Sequence, residues 1–103
     1  MRLSLRLLNL SQPKGRKVSQ IMYTLVIIDD EEKIVEGIAH LFPWEEIGFQ
    51  VVGSFTHAAP ALDYILNHPV DVVLSDIEMP GMNGLQLCEA LQVKEGIHIV
   101  FFS

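Results

Sequence analysis

The sequence is poor in cysteine and in basic residues, and it has no long uninterrupted apolar run. A single cysteine, Cys88, among 103 residues cannot close an internal disulfide, so the fold must rest on packing, and a reducing, cytoplasmic setting is expected. No apolar stretch reaches the roughly 18 residues that a membrane-spanning helix needs, so no membrane role is expected. Only seven basic residues face thirteen acids, and five of the seven (Arg2, Arg6, Lys14, Arg16 and Lys17) precede Met22. From Tyr23 onward Lys33 and Lys94 stand alone against all thirteen acids, a net charge of −11. That imbalance argues against direct binding of nucleic acid and suits capture of a divalent cation.

Half of the residues are apolar and 19% are charged, which is enough for one compact domain with a real core. Residues 1–22 read as a separate N-terminal extension or tail that closes in the polar, Pro/Gly-containing stretch SQPKGRKVSQ. Arg2 to Leu7 alternates like a strand, whereas Leu3, Leu7 and Leu10 equally suit a helix face. A targeting signal is a poor fit, because Arg6 and Asn9 break the apolar stretch and no small-residue cleavage site follows. The domain proper is expected over 23–103.

Within that span short apolar runs alternate with helical periods. TLVIID (24–29), QVVGSF (50–55), DVVLSD (71–76) and IHIVFF (97–102) are the expected strands. A helix over 31–42 places Ile34, Val35, Ile38 and Leu41/Phe42 on one face and stops at Pro43. A second helix over 57–67, with Thr56 as N-cap, turns Ala61, Leu62, Ile65 and Leu66 inward. A third follows Gly84, buries Leu85, Leu87, Cys88 and Leu91, and ends by Gly96. Strict alternation of helices with strands that are apolar throughout indicates an α/β domain with a doubly wound parallel sheet, covered on both faces. In such sheets ligands sit beyond the carboxyl ends of the strands, where the winding reverses.

Three acids fall at that edge: Asp29 and Asp30 close the first strand, and Asp76 closes the third. Carboxylates so placed repel one another and raise one another's pKa, so a native cluster of this kind is suited to a hard cation such as Mg²⁺. Pro80 and Gly81 supply a tight turn that keeps the loop after Asp76 open to solvent.

LVIIDDEEKI (25–34), VVLSDIEMPGMNGLQL (72–87) and IHIVFFS (97–103) resemble, in order and spacing, the three signature stretches of response-regulator receiver domains of two-component signalling. The resemblance covers about residues 23–103 and implies a flavodoxin-like receiver fold with four of its usual five strands. It also implies phosphoryl transfer from a sensor histidine kinase onto Asp76, to switch a transcriptional output. Mg²⁺ would be held by Asp29, Asp30 and Asp76 with the carbonyl of Glu78, and Ser103 would be the switch hydroxyl. PWEEIGFQVVG (43–53) is similar to receivers that precede AraC-type DNA-binding modules.

A receiver continues past its fourth strand with a helix, a fifth strand that ends in Lys, and a final helix, so the chain is expected to be incomplete at its C-terminus. Neither Lys33 nor Lys94 stands at a strand end where it could replace that Lys. The fourth strand is then an apolar edge, expected to self-associate, to swap elements between copies or to pair with the Leu-rich N-terminal segment. The missing Lys keeps a second reading open, a pseudo-receiver interaction module that binds metal without taking phosphate. A third, an aspartate-nucleophile phosphotransferase enzyme, is disfavoured. Its nucleophile should end the first strand, and Asp29 lacks the acid/base partner in an apolar context at Glu31. His40, His57, His68 and His98 show no metal-ligand spacing, Cys88 reads as a small core residue, and Trp44 is expected to pack at the end of the first helix.

Overall fold

The computed structural model describes residues 22–102. β1 (Tyr23–Ile28) leads into α1 (Glu32–Leu41) and a 3-10 turn (Glu45–Ile47), followed by β2 (Phe49–Phe55), α2 (Ala58–Asn67) and β3 (Val72–Asp76). α3 (Gly84–Ala90), a second 3-10 turn (Leu91–Val93) and β4 (His98–Phe102) complete the order. The four strands are parallel and lie in the order β2-β1-β3-β4, the doubly wound α/β sheet that the alternating pattern predicts.

β1 and β3 are central and buried on both faces, which is why they read as unbroken apolar runs. Their side chains alternate between two cores. Val26, Ile28 and Val73 face Ala58, Ala61 and Ile65 of α2 and Leu87 of α3. Leu25, Ile27, Val72 and Leu74 face Val35 of α1, together with Trp44 and Phe49. Trp44 packs edge-on against Phe49 and donates its indole N–H to the Ile38 carbonyl at 2.8 Å, closing the end of α1 as expected. At the opposite edge of the sheet the Asp71 carboxylate accepts from Thr24 N–H (2.8 Å) and Thr24 Oγ1 (3.1 Å), which binds the starts of β1 and β3 together.

Helix faces depart from expectation in several places. α3 presents Gly84, Leu87 and Leu91 inward, while Leu85 is 62% exposed and Cys88 is half-buried. Leu85 stands roughly 160° around the helix from Leu87, on the solvent side. On α1 the sheet-facing stripe is Val35 with Ile38 and Ala39, which leaves Ile34 40% and Leu41 80% exposed, with Phe42 exposed beyond the helix end. On α2 the stripe is Ala58, Ala61 and Ile65, flanked by Leu62, and Leu66 lies 40% exposed. The N-cap of α2 is His57, with no side-chain cap bond; Thr56 Oγ1 instead lies 3.1 Å from His57 Nδ1. The expectations for the N-terminal extension fall on residues outside the described ones.

Candidate functional site

The sheet order sets the site. The chain leaves β1 for β2 on one side and returns to β3 on the other, so the winding reverses between β1 and β3. Ile28 and Ser75 are register partners, and the next residue of each strand is an aspartate, Asp29 and Asp76. Both therefore stand at one level at the carboxyl end of the sheet. With Asp30 they offer three carboxylate oxygens that lie within 4.8 Å of one another, the arrangement expected of this trio.

The three acids differ in environment. Asp29 is buried; its N–H donates to the Phe55 carbonyl at 3.1 Å, and its Oδ1 accepts from the Glu31 N–H at 2.8 Å. Burial pushes its pKa above the ordinary carboxylate value, and the charges of Asp76 and Asp30 push it the same way, partly opposed by the Glu31 N–H. Asp30 is exposed and Asp76 half-buried, so the cluster opens to solvent on the side away from the sheet.

The segment after Asp76 is a closed loop. Glu78 N–H points to Asp76 Oδ1 at 3.4 Å, and the Glu78 side chain is exposed. Met79 is buried and anchors the loop, and Gly81 turns it with a φ of 85° that favours glycine. The Gly84 N–H then donates back to the Ile77 carbonyl at 2.6 Å. α3 begins with a capping box: Asn83 Oδ1 accepts from the Gln86 N–H at 2.8 Å, and Gln86 Oε1 accepts from the Asn83 N–H at 2.9 Å. β4 reaches the same place, since the Ile77 N–H donates to the Phe102 carbonyl at 3.3 Å. Ser103 follows Phe102 and lies outside the described residues.

The donor set fits a hard divalent cation. All three donors are carboxylates, their like charges need compensation, and the open side leaves room for water and phosphate oxygens. All four histidines are exposed and none joins the cluster, and Cys88 sits apart on α3. Lys94, the lysine nearest β4 in sequence among the described residues, donates to the Ile65 and His68 carbonyls at the end of α2. Gly84, expected only as the start of the third helix, and Gln86 and Phe101, given no role by the sequence, also shape this loop. The Asn-x-x-Gln spacing was a visible signal for the cap, whereas the contact between Gly84 and Phe101 depends on tertiary placement. No described helix is long and apolar enough to cross a membrane.

Comparison with known proteins agrees with this geometry. The model of the response regulator receiver domain family matches residues 25–103. The transcriptional regulatory protein YesN of Bacillus subtilis is 35% identical over 66 residues, which are 64% of this chain and 18% of YesN. Among solved structures, the REC domain of AraT, a response regulator from Geobacillus stearothermophilus, is similar with a TM-score of 0.73 and 34% identity, over 79% of this chain and 64% of that one. A two-component transcriptional regulator AraC from Clostridium phytofermentans is similar with a TM-score of 0.70 and 26% identity, over 77% of this chain and 64% of that one. The chain thus spans about a fifth of YesN and just under two thirds of each of these two structures. With its sheet order, its acidic cluster at the switch point and a family match over 25–103, this chain belongs to the response regulator receiver domains.

Proposed function

We propose that Asp76 accepts a phosphoryl group from the phosphohistidine of a sensor histidine kinase and that the resulting acyl phosphate switches a transcriptional output. The observation that carries this reading is the meeting of Asp29, Asp30 and Asp76 at the carboxyl ends of β1 and β3. Asp29, Asp30 and Asp76, with the Glu78 carbonyl, are the residues that would hold Mg²⁺. The bound ion would supply charge neutralisation for the carboxylate and the incoming phosphate oxygens.

One Asp76 carboxylate oxygen attacks phosphorus in line, the phosphorus–nitrogen bond breaks, and the imidazole departs with a proton from solvent. The Glu78 N–H steadies Asp76 Oδ1, and the half-burial of Asp76 leaves a path for the donor. The acyl phosphate brings about −1.5 to −2 charges into an already acidic pocket. Ser103, next after the strand end that bonds Ile77, is the hydroxyl that turns to donate to it, and this turn repacks the neighbouring face.

On this reading the domain runs over 23–103 and acts as a cytoplasmic signalling component, not as a turnover enzyme. The names of YesN and of the AraC regulator support a transcriptional output, and that of the AraC regulator supports an AraC-type DNA-binding module. The β4 edge, paired on one side only among the described residues, is a surface for self-association. The kinase step is tested with a labelled phosphohistidine donor domain. Label should move to the native chain, be released by hydroxylamine as an acyl phosphate is, and not move to Asp76→Asn. Label that resists hydroxylamine, or that reaches the Asn variant equally, contradicts the assignment.

A further inference from the structure

We propose that Gly84 is a positioning residue for the phosphoacceptor pocket, its bare Cα letting the start of α3 seat directly on the peptide that follows Asp76. The inference rests on the reading of that pocket given above. A methyl group at Gly84 would lie 2.7 Å from Phe101 Cε1, 2.8 Å from the Asp76 carbonyl oxygen and 3.0 Å from Ile77 Cα. The Phe101 ring can swing aside. The backbone of Asp76 and Ile77 cannot yield without moving the main chain that carries the phosphoacceptor.

Space, not conformation, demands glycine here, since the positive-φ glycines are Gly48, Gly81 and Gly96. Gly84 also closes the loop, through its N–H to the Ile77 carbonyl, and Ile77 in turn donates to Phe102 at the end of β4. In the β3–β4 register Ser75 stands opposite Phe101 and Asp76 opposite Phe102. The ring that abuts Gly84 therefore sits one residue pair from the phosphoacceptor, and the peptide after Asp76 is gripped by α3 on one side and β4 on the other. Gly84 touches no reacting atom; it acts by holding Asp76 in register with Asp29.

The test is Mg²⁺ affinity of the full chain by calorimetry, with the rate of phosphorylation by acetyl phosphate followed against Mg²⁺ concentration. Gly84→Ala should weaken Mg²⁺ binding by about tenfold to a hundredfold and raise the half-saturating Mg²⁺ for labelling by the same factor. Adding Phe101→Leu to that variant should recover part of the loss, because leucine lacks the atom nearest the new methyl. Gly37→Ala, where the methyl would meet only Leu41 Cδ1 at 3.8 Å, should match the native chain in both readouts. Native Mg²⁺ affinity in a folded Gly84→Ala overturns the proposal. Should that variant not fold, the Gly84→Ala/Phe101→Leu double variant, which keeps only the backbone clash, decides: weaker Mg²⁺ binding than in Phe101→Leu supports the proposal, and equal affinity overturns it. A native chain that binds Mg²⁺ and takes no phosphoryl group ends the phosphoacceptor reading alone, since the affinity ratio still decides Gly84.

Discussion

Replacing Asp29 with asparagine should make the metal-free domain more stable at neutral pH, although it removes a residue of the site. Oxygens of Asp29 and Asp76 lie within 4.8 Å. At that distance two unit charges repel by about 0.9 kcal/mol in water and about 3.5 kcal/mol at an effective dielectric of about 20. Asp76 is half-buried and screened by solvent, so the low end applies, about 1 kcal/mol. The Asn side-chain oxygen keeps the hydrogen bond from the Glu31 N–H, so little is lost. The folded-state pKa of Asp29 is raised, so the native state holds this proton more tightly than the unfolded chain does. Its contribution to stability is therefore intact below the ordinary carboxylate range and is lost as pH rises through the folded pKa. Thermal melts in chelator should show Asp29→Asn about 4–8 °C above the native chain at about pH 7, with the gap closing at about pH 3. Saturating Mg²⁺ should reverse the order, adding about 2.7 kcal/mol to the native chain at a hundredfold excess over Kd and little to the variant. A variant less stable than native in chelator at neutral pH, or an equal Mg²⁺ shift in both, refutes this reasoning.

Leu87→Ala, which opens a hole in the core shared by α2, α3, β1 and β3, should cost about 2–5 kcal/mol by urea denaturation. Leu85→Ala, two residues away on the solvent side, should stay within about 0.5 kcal/mol. Asn83→Ala removes half of the capping box and should cost about 1 kcal/mol, read in the same melts. That loss should shrink when Gln86 is already Ala, because the two bonds act together.

The parts of the fold legible in the sequence are those with one dominant cause. β1 and β3 are buried on both faces, so their apolar runs mark them directly, and the acids that end them mark the switch point. The helices are legible as segments, and their faces in part: Val35, Ile38, Ala61, Ile65, Leu87 and Leu91 point inward as expected, whereas Ile34, Leu41, Leu66 and Leu85 do not. Ile34, Val35, Ile38 and Leu41 fit more than one stripe, and periodicity does not encode which of them meets the sheet; Val35 does and Ile34 lies 40% exposed. In α3 Gly84 lies so close to the Asp76 and Ile77 backbone that a methyl group there would come within 2.8 and 3.0 Å of it, and Leu85 faces solvent; neither placement is encoded in the periodicity. The capping box was written in the sequence as Asn83 and Gln86, while the meeting of Phe101 with Gly84 required the β3–β4 register.

The central claim, that Asp76 is the phosphoacceptor, is tested most directly by the intact mass of the full chain after incubation with Mg²⁺ and acetyl phosphate, with Asp76→Asn treated in parallel. The account predicts one phosphoryl adduct on the native chain, none without Mg²⁺, and none on the variant. An adduct of equal yield on Asp76→Asn, or a native chain that binds Mg²⁺ at this site and stays unmodified, would contradict it.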